Sequence, residues 1–162
     1  MPWNKTVWVV TAATILAWIG VSGWMLYGAS KGGNVTDDVV SLILWNVIMA
    51  PMVLICEGLA PQRLEIGHDK IVILRRYRSV TIRREQIASV ERLPDGAMRS
   101  ALRTCGVGGL FGYYGRFYTR KIGSFSLYAT RLDNLFLVTL CTGKRVVISC
   151  AEPDKMEPLM QP

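Results

Sequence analysis

The chain has 162 residues, 51 % of them hydrophobic, a formal charge of +7 and a single His. The charge is unevenly placed: residues 1–60 hold only Lys5, Lys31, Asp37, Asp38 and Glu57, whereas the rest holds seventeen Lys/Arg against nine acids, a formal +8. That second part has room for one small domain with its own core and not for two, and one His beside four scattered cysteines excludes a zinc site built on clustered Cys and His.

From Thr6 to Ser30 there are twenty-five residues without Asp, Glu, Lys or Arg. A helix needs about 20 apolar residues to cross a bilayer, and Val7–Tyr27 supplies them. A second uncharged run, Val39–Cys56, follows a short polar loop. A charge at mid-bilayer costs roughly 2.5–3.5 kcal/mol on insertion scales, so charge-free runs of this length suit lipid. Trp3 and Trp8 flank the start of the first run, and Trp24 and Tyr27 flank its end, as in the aromatic belt of a membrane helix. A cleaved signal peptide would have a shorter apolar core and a small-x-small site, which Tyr27-Gly28-Ala29 does not offer. A buried helix pair in a soluble fold fails because so short a chain cannot hide two such runs. The expected unit is a transmembrane hairpin over residues 1–60, with spans about 6–28 and 39–59.

Lys5 precedes the first run, the loop Gly28–Asp38 holds one Lys and two Asp, and Arg63, Lys70, Arg75, Arg76 and Arg78 follow the second run. The positive-inside rule then places both termini on the cytoplasmic side. Cys56, Cys105, Cys141 and Cys150, with no C-x-x-C, suit a reducing compartment. In the second run Asn46 is expected to hydrogen-bond across the hairpin, and Pro51 to kink the helix. Gly20, Ser22 and Gly23 permit close packing, either between the two spans or between copies of the chain.

After residue 60 the period changes from helical to two. Leu64–Ile66, Ile71–Leu74, Val80–Ile82, Ile87–Val90, Ser124–Ala129, Leu135–Cys141 and Arg145–Ser149 read as strands. Thr142-Gly143 is a hairpin signal between the last two. Ala151–Met160 reads as a short helix led by Glu152-Pro153-Asp154 and cut short by Pro158. Residues 61–162 are therefore expected to form a small, mostly β barrel or sandwich of antiparallel strands, capped by a C-terminal helix. The pattern of strands leaves PH-like, OB-like and SH3-like barrels open.

Particular residues point further. Arg103, Gly106, Gly109, Gly112 and Gly115 are followed by Tyr128-Ala129-Thr130, Gly143-Lys144 and Val147-Ile148-Ser149. Over roughly residues 61–160 this resembles the bacterial PH domain family, members of which often carry the domain behind two N-terminal membrane helices. Cys150 stands where that family usually has Pro, and Glu152-Pro153-Asp154 replaces a plain acidic-Pro pair. The resemblance implies a PH-like barrel and a bacterial inner-membrane location. It does not imply a ligand.

Two features of this part could bind something. The stretch Cys105–Phe117 interleaves five glycines with Phe111, Tyr113, Tyr114 and Phe117. Its glycines do not make a dinucleotide loop, because Phe111 occupies the third Gly place and no βαβ pattern surrounds it. Either the glycines shape bulges and the aromatics fill the core, or Phe111, Tyr113 and Tyr114 form an exposed tip that touches lipid or a partner. The second feature is basic. Arg75, Arg76 and Arg78 are expected to face Arg83 and Arg84 across a turn at Ser79, and Arg116, Arg120 and Lys121 form a second cluster. Beside a cytoplasmic leaflet such residues gain about 1 kcal/mol each from anionic lipids.

No nucleophile, base or metal constellation emerges, so no enzyme activity and no cofactor is expected. The expected function is a membrane-anchored binding or scaffold module whose partners are anionic lipid headgroups or a protein. The alternative is a subunit of a homo-oligomeric membrane assembly. Nucleic acid is not an expected partner, since no reader motif accompanies the charge.

Overall fold

The computed structural model describes residues 3–31, 35–156 and 159. Two long helices come first, α1 (Lys5–Ser30) and α2 (Val35–Leu59), the latter running through Pro51. Neither has a polar side. Trp8, Leu16, Ile19 and Trp24 on α1, and Val40, Ile43, Val47, Ile48 and Leu54 on α2, stand exposed all around the pair. A helix that is apolar all round belongs in a core or in a membrane, and these are only 6 % buried over their most apolar stretches. Both are long and apolar enough to cross a membrane.

The helices pack together as a hairpin. Trp18 Nε1 donates to Asn46 Oδ1 at 3.1 Å, and Asn46 Nδ2 donates to the Leu42 carbonyl at 2.9 Å. Asn46 thus joins the two helices as expected. Gly20 and Gly23 do not: a Cβ on either would meet nothing within 4 Å, so they line the outside of the hairpin and not its seam.

Nine strands follow among the described residues: β1 (Pro61–Ile66), β2 (Lys70–Arg75), β3 (Val80–Arg83), β4 (Ile87–Arg92), β5 (Leu102–Gly108), β6 (Tyr113–Thr119), β7 (Gly123–Ala129), β8 (Leu135–Leu140) and β9 (Arg145–Ser149). They form a three-stranded sheet, β1-β2-β3, and a six-stranded sheet ordered β4-β8-β9-β7-β6-β5. Strand alternation sorts the apolar residues to the two faces of the larger sheet. Val90, Phe136, Val138, Val146 and Ile148 face Ile71, Ile73 and Ile82 of the smaller sheet. Leu135, Leu137 and Val147 point the other way, with Phe117, Phe125, Leu127 and Met98. Being covered on both faces, Leu135–Val138 is an unbroken buried run, as central strands tend to be.

Three expectations need correction. Of the barrel and the sandwich, the β-domain takes the second form: two packed sheets, so the barrel implied by the resemblance is not closed. Its strands are not all antiparallel: β9 inserts between β7 and β8 and runs parallel to β7, pairing Leu127 with Val147. That direction follows from the chain path, because β7 and β8 already run in opposite senses. The expected helix over residues 151–160 falls partly on 157, 158 and 160, outside the described residues. Its described part is a 3-10 turn, Pro153–Lys155, then Met156, fully buried in the inter-sheet core, and Leu159, which is helical and packs against that core.

Candidate functional site

The glycine- and aromatic-rich stretch is a β-hairpin, β5–β6, closed by a turn in which the Gly109 N–H donates to the Gly112 carbonyl at 2.9 Å. Gly106 and Gly115 lie opposite each other. A Cβ on Gly106 would stand 2.3 Å from the Tyr114 carbonyl oxygen, and one on Gly115 2.4 Å from that of Cys105. The two strands approach so closely that neither position has room for a side chain.

The tip of this hairpin lies against the ends of α1 and α2. Phe111 and Tyr114 are 9 % and 4 % exposed, packed with Val53 and Ala60. The Phe111 N–H donates to Thr11 Oγ1 at 3.0 Å, and its ring meets Trp3 edge-on at 6.0 Å. Tyr114 Oη donates to the Cys56 carbonyl at 2.6 Å. Asn4 N–H donates to the Thr130 carbonyl at 3.2 Å. Burial pushes the Tyr114 phenol far above its usual range, and raises that of Tyr113 against a hydrogen bond with Thr6 that lowers it. The exposed-tip reading of Phe111 and Tyr114 is therefore wrong; Tyr113 is half-buried. Their apolar area is used up on the chain's own helices. This is the structural reading of the stretch, with one addition that sequence could not supply: the core these aromatics fill is the junction between hairpin and β-domain.

The basic residues are not one patch. β2 and β3 pair Lys70 with Arg83 and Ile73 with Val80, so Arg83 and Arg84 lie at the far end of that hairpin from Arg75, Arg76 and Arg78. Five residues of strand separate Arg75 from the level of Arg83, roughly 17 Å at strand rise. The expected facing across Ser79 fails because the turn takes in Leu74–Ser79, and the three arginines sit at its edge or inside it.

That turn is pinned to α2. Tyr77 N–H donates to the Gly58 carbonyl at 3.1 Å and Tyr77 Oη to the Leu54 carbonyl at 3.2 Å. Arg76 pairs with Glu57 at 2.7 Å. Arg75 Nε donates to the Arg78 carbonyl, and its guanidinium stacks 5.3 Å over the Tyr128 ring.

The remaining basic residues gather at the opposite end. Arg84 N–H donates to the Asp69 carbonyl, Cys141 N–H to that of Gln86, and an Arg145 guanidinium N–H to that of Ile122. These contacts set four turns side by side, carrying Lys70, Arg83, Arg84, Lys144, Arg145, Arg120 and Lys121. Arg116 lies between the two ends, exposed on β6. Lys144 and Arg145 were not counted with the basic clusters from sequence, because only the pairing of β9 with β7 brings their turn to the one at Ile122. Among the described residues no three His, Cys, Asp or Glu side chains come close enough to hold a metal ion.

A hairpin of apolar helices carrying a two-sheet β-domain is the arrangement that the glycine and GK positions suggested. A family model described as bacterial PH domain matches residues 62–161. The chain belongs to this family. Neither the curated proteins nor the solved structures compared with it gave a match. The family is generally non-catalytic, and membership of it suggests a binding or scaffold module. The matched region starts inside β1, so the bacterial PH domain comprises the two sheets, with the apolar hairpin as an N-terminal addition to it.

Proposed function

We propose that this protein is a membrane-anchored bacterial PH-domain module. In this reading α1 and α2 cross the bacterial inner membrane with both termini in the cytoplasm, and the β-domain engages anionic lipid headgroups through the arginine turn. The observation that carries it is the pinning of Arg75, Arg76 and Arg78 to the last turn of α2 by Tyr77 and Glu57. A helix leaving the bilayer there sets Arg78 and the partly stacked Arg75 at headgroup level. Each contributes about 1 kcal/mol from an anionic leaflet. Arg83, Arg84, Arg120 and Lys121, roughly 17 Å farther out by strand rise, stand beyond the ~8 Å screening length of physiological salt.

Native mass spectrometry of the full chain, released from nanodiscs of mixed phosphatidylcholine and phosphatidylglycerol, tests this reading. Retained lipid is expected to be enriched in phosphatidylglycerol. The double variant Arg75→Glu with Arg78→Glu is expected to lose the enrichment, and Arg83→Glu with Arg84→Glu to keep it. Equal retention of both lipids sinks the proposal.

One observation favours the second reading, a homo-oligomer. Gly20 and Gly23 open onto empty space on the outside of α1, where a helix of another copy could come close. The same spectra report it, and a monomer at every concentration removes it.

A further inference from the structure

One face of the six-stranded sheet is only half used. The smaller sheet covers it over β4, β8 and β9. On β7, β6 and β5 its part nearest the helices, with Val107, Tyr114 and Tyr128, packs against α1 and α2. Beyond that no element among the described residues covers it. Cross-strand register places Cys105, Arg116 and Ser126 in one row and Leu102, Tyr118 and Ser124 in the next. Leu102 is 67 % and Tyr118 42 % exposed, and with Tyr77 they are the large apolar residues that the β-domain exposes among its described residues. Arg116 has no ion-pair partner among the described residues. The turn that ends this face carries Arg120 and Lys121.

Charge decides what fits there. From Gly96 to Leu132 the chain contains no Asp or Glu, yet it holds Arg99, Arg103, Arg116, Arg120 and Lys121, besides Arg131, which Asp133 pairs. Acids elsewhere in the β-domain temper its basic residues; on β5, β6 and β7 nothing does. An exposed Tyr and Leu set beside Arg is the composition of a protein-binding patch, in which aromatic and Arg side chains carry most of the energy. The leaflet is an unsuitable occupant, because Tyr118 lies four residues beyond Tyr114, which is seated on the end of α2, roughly 13 Å at strand rise, and screening acts over ~8 Å.

We propose that the uncovered face of β5–β6–β7 binds an acidic segment of a partner protein, with Arg116, Arg120 and Lys121 meeting its carboxylates and Leu102 and Tyr118 its apolar anchor. This rests on reading the chain as a binding module, and is independent of its lipid contacts. Cys105 reports on the face and Cys141 on the far turns, since both thiols are exposed.

The full chain in neutral-lipid nanodiscs is labelled with maleimide in the presence of a short Glu-rich peptide carrying one Leu-Tyr pair. The peptide is expected to slow labelling of Cys105 and leave Cys141 unchanged. Arg116→Glu with Tyr118→Ala is expected to weaken this protection about tenfold, while Arg75→Glu with Arg78→Glu leaves it intact. Both altered side chains of the first variant are exposed, and an unchanged thermal melt shows that it folds. No slowing at Cys105, equal slowing by the Lys-rich counterpart, or protection that survives Arg116→Glu with Tyr118→Ala overturns the proposal. Equal slowing by oligothymidylate overturns it in favour of nucleic acid. Lipid retention by the arginine turn is read separately, so each proposal stands or falls alone.

Discussion

Tyr114 holds the junction with one hydroxyl. Its hydrogen bond to the Cys56 carbonyl is buried with the ring, and a bond of this kind contributes about 1 kcal/mol. Because burial raises the folded-state pKa, the native chain keeps a proton that the unfolded chain releases above pH ~10. This contribution is complete below that pH and declines as pH rises toward the folded value. Tyr114→Phe is therefore expected to lower the melting temperature at neutral pH and to flatten its alkaline fall. An alkaline slope equal to that of the parent would show that Tyr114 titrates as a free tyrosine. Gly115 is a second sensitive position. An added methyl group meets the Cys105 backbone and the Gly106 Cα, neither of which can move aside. Gly115→Ala is expected to cost about 1–3 kcal/mol, the range for overpacking. Circular dichroism melts of the detergent-solubilised chain measure it, and an unchanged melting temperature refutes the close approach. Tyr113–Thr119 was not among the strands read from sequence, because its glycines interrupt the apolar alternation; pairing with β5 and β7 makes it a strand.

Between the two helices, Asn46 links polar groups in otherwise apolar surroundings. Asn46→Leu removes the acceptor of Trp18 Nε1 and is expected to loosen the hairpin by about 0.6–2 kcal/mol, the range for polar contacts between membrane helices. Trp fluorescence during denaturant titration follows the loss, and a shift no larger than that of an exposed-site control such as Ile48→Leu argues against the bridge. Among the strands, β2 and β3 were read correctly from β-branched alternation, yet their register was not. Both candidate partners of Arg83 are basic, so charge gave no hint that Lys70, and not Arg75, stands opposite it. β5 was not read as a strand because Leu102–Gly108 has little alternation of its own; it is held by pairing with β6.

Across the whole molecule, α1 is longer than a bilayer needs. Its 26 residues extend about 39 Å, against a hydrocarbon core of about 30 Å. About six residues are surplus, close to the length from Lys5 to the buried Thr11, where the β5–β6 tip lies against the helix. The first turns of α1 therefore act as a seat for the β-domain. Thr11→Val tests this: it strands the buried Phe111 N–H, at a cost of about 1–3 kcal/mol. Hydrogen exchange is expected to speed up at Phe111 and along β5 and β6 while β8 and β9 keep their protection. Equal protection everywhere would mean that the domain does not depend on this contact. The two long apolar helices, the β-rich class of the remainder and the family were legible in the chain alone, because charge-free runs, period-two alternation and glycine positions are local properties of sequence. The open arrangement of two sheets, the separation of the arginines into two tiers, the burial of Phe111 and Tyr114 against the helices, and the bare face of β5–β7 were decided only by tertiary structure. Each depends on which strand pairs with which and in what register, and so on contacts between residues far apart in the chain, which no local pattern encodes.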